Sequence, residues 1–282
     1  MTTAAARRAV VVDIRTHHAG VSERRACAYP GFGRSSQRYR SRRARDEELR
    51  ARLRGHAEAR PRWGYRRLHV LLERDGLAVN HKRVYRLYRE EGLAVRRRKR
   101  KRLAVTRQPM PAPAQLNERW SMDFMHDALV NGRRYRILNV VDDLSREGLA
   151  SEVDFSLPAA RVIQTLEEIA LERGFPKSIV LDNGPEFRST ALDAWAFRRQ
   201  IVLDFIEPGK PTQNPFAESY NGKMRDECLN QHWFRDIIEA RTTIDSHQQD
   251  HNEVRPHSSL GNLTPCEFAR ALQGREPGIA VA

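Results

Sequence analysis

Hydrophobic and polar positions change their period along this chain, and the changes divide it. From Asp46 to Gly92 the period is helical. Leu49, Leu53 and Ala57 recur every four residues until Pro61 ends the run. Leu68, Leu71 and Leu72 mark a second helix, closed by Gly76. Asn80 is a good N-cap for a third, over 81–91, whose apolar stripe is Val84, Leu87 and Tyr88. After residue 117 the pattern becomes strand-like. "RWSMDFMHDAL", "RYRILNVVDDLSR" and "GLASEVDF" read as strands. "AARVIQTLEEIALERG" then puts Val162, Leu166, Ile169 and Ala170 on one helical face, with Gly174 as its stop. "KSIVLDNG" is a strand, "STALDAWAFRRQ" a helix and "IVLDFIEPG" a strand. Residues 212–273 read as helical, broken at "RPHSSLGNLTP". Three strands followed by alternating helix and strand predict an α/β class, a mixed sheet with helices on its faces. A helical domain precedes it. Residues 1–45 are weakly patterned: a short helix from Ser22, a Pro30-Gly31 break and a second basic helix, in a partial helix-turn-helix or a basic arm.

Charge gives the two regions different partners. Of 282 residues, 50 are Lys or Arg and 36 Asp or Glu, a net charge of +14. Residues 1–110 hold 31 basic and 10 acidic side chains, whereas 111–282 hold 19 and 26. The first region is suited to a polyanion, and nucleic acid rewards each neutralised phosphate with counterion release. On the third helix the stripe leaves Lys82, Arg83, Arg86 and Arg89 outward, so this helix is the candidate for a DNA groove in a winged or simple helix-turn-helix; a merely solvated face is the alternative. Trp63 and Tyr65 fit the core of so small a domain better than base stacking. Arg96, Arg97, Arg98, Lys99, Arg100, Lys101 and Arg102 form a run that lies in solvent or on phosphates, adding affinity without sequence information. The segment "QPMPAPAQ" is Pro-rich. The boundaries are therefore 1–45 arm, 46–103 helix-turn-helix, 104–116 linker, 117–273 core with helical tail, and 274–282 flexible end. No apolar run approaches the ~20 residues of a bilayer span, and the start lacks a signal-peptide core. Cys27, Cys228 and Cys266 are scattered and odd in number, so no disulfide framework is implied and a reduced, cytoplasmic protein fits.

Three carboxylates carry the candidate chemistry. Asp123 lies mid-strand with Met122 and Phe124 pointing to the other face, and a charge there is costly unless paired or metal-bound. Asp182 ends the strand in "IVLDNGPEF", where Asn183-Gly184 supplies a turn; Asp also favours turns for local reasons. Glu218 sits in "PTQNPFAESYNGKMRDECL", a helix entered through Thr212 and Pro215. The gaps are 58 and 35 residues. Neighbouring strand ends and a first helical turn can bring the three together. Such a cluster repels itself and wants hard divalent cations, Mg²⁺ or Mn²⁺. Two ions ~4 Å apart activate an attacking oxygen and stabilise a leaving one. Asp142 and Asp143 also follow a strand, but turn or capping roles suit them better. A structural role is expected for His126 and His257.

"WSMDF", "LDNGPEF" and "PTQNPFAESYNGKMRDECLN" resemble the three signature segments of the DDE transposase and retroviral-integrase superfamily, and the 35-residue gap matches its hallmark. The likeness is nearest to insertion-sequence-3 type transposases, second reading frame (OrfB). "RWGYRRLHVLLERDGLAVNHKRVYRLYREEGL" is similar to that group's helix-turn-helix region, and "RPHSSLGNLTP" to its tail. The resemblance spans roughly residues 20–270. It implies an RNase H-like core, a mixed five-stranded sheet flanked by helices, with Asp123, Asp182 and Glu218 as ligands of two Mg²⁺ or Mn²⁺ ions. It also implies 3′-end cleavage of an insertion sequence followed by strand transfer, in-line chemistry in which positioning and electrostatics do most of the work. Asn183 and Gly184 would support the site. Lys223 would contact DNA, and Arg225, seven positions after Glu218 on the same helical face, would contact DNA or position the helix.

The implied partners are DNA at the element ends and target, further copies of the chain on DNA, and a first-frame (OrfA) product; the setting is a bacterial cytoplasm, nucleoid-associated. Two departures stand out. His251-Asn252 replaces the group's usual tyrosine-asparagine pair. Only Cys27 lies in the N-terminal half, so the zinc-binding domain of retroviral integrases is not expected. Rival readings are a DNA-binding regulator with an inactive core and a nuclease that cuts without joining.

Overall fold

The computed structural model describes residues 3–39, 46–95, 113–207 and 213–274. The run Arg96–Arg102, most of the Pro-rich linker, Thr212 and the C-terminal end lie outside them. Two compact units emerge, Met1–Arg52 and Leu53–Ala282.

The first unit contains α1 (Ala4–His17), α2 (Glu23–Ala28) and α3 (Arg34–Arg38). Ser22 caps α2 by accepting from the Arg25 amide, as its sequence predicts. Gly31 turns the chain at φ +60°, a region that suits glycine. The α1 helix was not anticipated; Thr3 caps it, and Val11 packs with Ala26 and Cys27.

The boundary falls inside α4 (Glu47–Ala59), followed by α5 (Tyr65–Arg74) and α6 (His81–Glu90). Leu49, Leu53, Ala57, Leu68, Leu71, Leu72, Val84, Leu87 and Tyr88 are all buried, so the helical stripes read from the sequence are the buried faces. Asn80 caps α6 through the Lys82 amide at 2.8 Å, and Gly76 takes φ +83° after α5.

The core is a five-stranded sheet of β1 (Arg119–Ala128), β2 (Arg134–Asp142), β3 (Gly148–Asp154), β4 (Ser178–Leu181) and β5 (Val202–Phe205), in the order β3-β2-β1-β4-β5. The hairpin strands β1–β3 pair antiparallel, whereas β4 and β5 join parallel. Parallel neighbours need crossovers, which α7 (Ala159–Arg173) and α8 (Thr190–Arg199) provide. One core lies on their side: Trp120, Met122, Leu138, Val140, Leu166, Leu181, Phe187 and Trp195 pack together. On the other face α9 (Pro215–Glu227) and α10 (Ile237–Glu253) cover Met125, Tyr135, Ile137 and Val141. A last helix, α11 (Pro265–Gln273), starts with a Thr264–Glu267 capping box. This is the RNase H-like α/β core expected, preceded by helices. No described helix is long and apolar enough to cross a membrane.

Candidate active site

The register between β1 and β4 explains the 58-residue gap. Arg119, Trp120 and Ser121 stand beside Ser178, Ile179 and Val180. Carried two residues past that ladder, the same offset sets Asp182 beside Asp123, on parallel strands about 4.8 Å apart. The apolar alternation turns Met122 into the core, while Phe124 stacks on Phe187 with ring centroids 4.8 Å apart. Phe187 is fully buried, so the turn after Asp182 is pinned to β1 by an aromatic pair that sequence reasoning did not single out. Within that turn the Gly184 amide donates to Asp182 Oδ1 at 2.9 Å, and Asn183 Nδ2 donates to the Ile206 carbonyl at 2.6 Å. The turn-forming role of Asp182 is therefore real, and it occupies one carboxylate oxygen.

Glu218 reaches the same neighbourhood on α9. Pro215 takes the first helical turn, where its missing N–H costs nothing. The N-cap position is Asn214, and instead of capping, Asn214 Nδ2 donates to the Met122 carbonyl at 3.0 Å. One turn after Glu218, Asn221 Nδ2 donates to Asp123 Oδ2 at 2.8 Å, while its own Oδ1 accepts from Asn139 Nδ2 at 2.6 Å. Arg225 then holds Asp127 and the His126 carbonyl, both at 2.7 Å. Three side chains thus lace α9 along β1. Asn139 and Asn221 were missed from the sequence, although "ESYN" spacing puts Asn221 on the face of Glu218.

Electrostatics tie the three carboxylates together. Burial, then the charge of Asp182 and further that of Glu218, push Asp123 up to about 6. Partial burial also holds Glu218 above the usual carboxylate range. None of the three has an ion-pair partner among the described residues. Nor, among those residues, does any group of three or more His, Cys, Asp or Glu stand close enough to form a finished metal cage. The donor set is nonetheless all hard oxygen and carries uncompensated negative charge, which suits a divalent ion such as Mg²⁺ or Mn²⁺.

The other expected residues separate into groups. Lys82, Arg83, Arg86 and Arg89 are exposed on α6. Arg225 is committed to β1, and Lys223 is largely enclosed, its ammonium driven down to about 7 by burial and by Arg255. Both remain partly exposed. Asp142 accepts from the Asn117, Leu144 and Ser145 amides and the Ser145 hydroxyl, and Asp143 from Arg119 and Ser121. Those are turn and pairing roles. His126 is exposed and His257 buried.

Sheet order, paired parallel aspartates and a preceding three-helix region define a class, the integrase-type RNase H-like protein with a helix-turn-helix. Family models described as "Integrase core domain" match residues 113–211 and 199–265, and one described as "HTH-like domain" matches 43–101. The chain is 51% identical over 251 residues, 88% of itself and 91% of the relative, to an uncharacterized 31.7 kDa protein of insertion element IS407 from Burkholderia multivorans. It therefore belongs to the insertion-sequence-3 type transposases, second reading frame. It is also similar to transposase InsD of IS2 elements from Escherichia coli, 29% identical over 249 residues, 82% of this chain and 81% of that one. In fold it resembles a chain of the simian T-cell lymphotropic virus intasome solved with PP2A regulatory subunit B56 gamma. That likeness has a TM-score of 0.54 and 16% identity, covering 82% of this chain and 77% of that one.

Proposed function

We propose that this chain is the catalytic subunit of a DNA transposase that cleaves the 3′ ends of its insertion sequence and joins the freed 3′-hydroxyls to target DNA. The observation that carries the reading is the register that sets Asp182 beside Asp123, with Glu218 on a helix laced to the same strand. Asp123, Asp182 and Glu218 would hold two divalent ions. Those ions, when bound, supply charge neutralisation at the scissile phosphate and lower the pKa of a bound water or hydroxyl.

The protein's own share is positioning. Asn221 fixes the Asp123 carboxylate in rotation, and Gly184 does the same for Asp182. Phe124 and Phe187 wall the apolar side of the site. Such preorganisation is where in-line phosphoryl transfer gains most of its rate. Residues 46–103 form the DNA-reading region in this proposal, with α6 and the basic run on phosphates, and several copies act together on the two element ends. A first-frame product is a further partner on the same footing.

The test is metal-dependent cleavage of a labelled duplex carrying an element end. Glu218→Gln should lower the rate about a thousandfold, the scale of several kcal/mol of charge stabilisation. DNA affinity should stay within twofold. Cleavage surviving in that variant refutes the site. A pre-cleaved end that fails to join identifies a nuclease without transfer, and a wild-type chain that binds but never cuts is a regulator.

A further inference from the structure

The far end of α9 is anchored by groups that the chemistry does not need. Glu227, its last residue, accepts a fork from Arg255, Nε to Oε2 at 2.8 Å and Nη2 to Oε1 at 2.6 Å. Trp63 Nε1 adds a bond to Oε2 at 3.1 Å, and Arg67 Nη1 one to Oε1 at 3.4 Å. The Arg255 and Glu227 side chains are only 3% and 10% exposed. Next to them Arg62 pairs with Asp226, and Arg60 with Asp250 of α10 at 2.5 Å. Arg60, Arg62 and Trp63 come from the turn between α4 and α5, and Arg67 from α5, the helix that precedes α6.

Helix geometry gives this anchor its meaning. Nine residues separate Glu218 from Glu227, about 13 Å along the axis and about two and a half turns, so they face opposite sides. On the Glu218 side α9 is laced to β1 by Asn214, Asn221 and Arg225. On the opposite side it is held by the helical region. An apolar contact would seat a helix end but leave it free to roll; a forked ion pair with a third and fourth donor fixes the roll as well. A buried carboxylate so fully partnered is also intolerant of losing one partner.

From this we infer that Glu227 is a positioning residue for Glu218, and that Trp63 is the side chain through which the helices before α6 set that position. The inference rests on the transposase reading. DNA seated on α6 would then bear on the glutamate through one continuous path: α5, the α4–α5 turn with Trp63, Glu227, α9.

Trp63→Phe removes the N–H together with one ring of the buried indole, so its melting temperature reports the lost packing. Arg67→Gln removes the outermost donor from a partly exposed position without touching that packing. Each variant, with Glu227→Gln and the double Trp63→Phe/Glu227→Gln, is compared with wild type in the full chain. The readouts are melting temperature, affinity for an element-end duplex, single-turnover cleavage at saturating duplex, and the Mn²⁺ concentration for half-maximal rate. Expected for Trp63→Phe is a saturated rate down about tenfold, as for a sub-ångström misplacement of a catalytic group. The Mn²⁺ midpoint should rise several-fold while affinity stays within twofold. The double variant should be no slower than the slower single, because both act through one bond.

A lowered melting temperature with an unchanged saturated rate makes the cluster an adhesive and overturns the inference. So does weaker DNA binding with an unchanged saturated rate. If Glu227→Gln does not fold, Trp63→Phe and Arg67→Gln decide on the same criteria. A wild-type chain that does not cleave fails the functional reading itself, and the inference with it; a wild type that cleaves, a dead Glu218→Gln and a normal Trp63→Phe sink the inference alone.

Discussion

Gly148→Ala tests how tightly α9 is seated. Gly148 opens β3, and a Cβ built on it would lie 2.5 Å from the Tyr220 hydroxyl oxygen and 2.7 Å from Cε2 and Cζ of the same ring. Ordinary carbon contacts begin near 3.5 Å, so the ring must retreat by about 0.8 Å. It has little room to do so. Tyr220 is buried, its hydroxyl shares a hydrogen bond with Ser151 Oγ at 3.0 Å, and its ring meets buried His251 edge-on at 4.7 Å. Overpacking of this kind costs about 1–3 kcal/mol. For a unit of this size that is a fall of roughly 3–10 °C in melting temperature. Tyr220 lies two residues after Glu218 on the same helix, so the ring's retreat passes to the carboxylate. A displacement approaching 1 Å costs up to about a hundredfold in rate. The control is Gly222→Ala, also in α9, where an added Cβ meets nothing within 4 Å. That change should stabilise by about 0.5–1 kcal/mol through helix propensity and leave the rate alone. Melting by calorimetry and single-turnover cleavage at saturating duplex check both. If Gly148→Ala melts within about a degree of wild type and cleaves within twofold, the close approach does not fix α9 and the reasoning fails.

Two further outcomes follow from charge. His257 is driven down to about 2 by burial first and then by Lys223, Arg255 and Arg67, and His251, whose ring lies 4.7 Å away, is likewise pushed well below its ordinary value. At these two imidazoles the folded chain binds fewer protons than the unfolded one below pH ~6.5. Their contribution to stability is therefore complete above that value and falls as pH drops, by up to about 1.4 kcal/mol per unit for each imidazole. Asp123 and Asp143, both raised to about 6, contribute in the opposite direction. Urea denaturation between pH 7 and 5 should show the fall, and His257→Asn should flatten it; parallel curves would reject the assignment. On α6, replacing Lys82, Arg83, Arg86 and Arg89 with Ala should reduce the slope of log affinity against log salt by about 0.9 for each phosphate that is no longer neutralised. Fluorescence anisotropy over a salt series measures this, and an unchanged slope would place DNA elsewhere.

The elements legible in the sequence are those whose pattern has one dominant cause. The stripes of α4–α6 bury a face, and each is bounded by a residue that marks a helix end, Pro61 after α4, Gly76 after α5 and Asn80 before α6. The order of three strands and then alternating helix and strand follows from crossovers that parallel pairing demands. What escaped has two causes. The α1 helix contains Val10, Val11 and Val12, a β-branched run that reads against helix, and its cap and its packing on α2 override that preference. Asn139 and Glu227 carry no local signal, and Asn221 only its helical spacing from Glu218, because each acts on a residue 82 or more positions away or on an arginine 28 positions away. The 58-residue gap was visible as a number, but its meaning, a shared level on adjacent parallel strands, needed the register.

The distribution of arginine gives the strongest argument that the three carboxylates serve something outside the chain. Carboxylates along the first three strands and their turns are otherwise provided for. Asp127 has Arg225, Asp143 has Arg119, Glu147 has Arg173, Glu152 has Arg161 and Asp154 has Arg241. Asp142 has three backbone amides and a hydroxyl instead. With 50 Lys and Arg in the sequence, cations for three more would be easy to supply. Yet Asp123 stands between neutral Asn221 and like-charged Asp182, a placement that raises its pKa and costs folding free energy with no internal return. A fold that pairs or hydrogen-bonds the other carboxylates of β1–β3 leaves this group repelling itself, with negative charge that the proposed divalent ions would neutralise. The same economy explains Arg225 and Lys223. Arg225 is spent on Asp127, Lys223 lies near Glu227, and Arg136, over the Phe124 ring, pairs with Glu186, so none of these three cations pairs with the carboxylates that would hold the proposed ions.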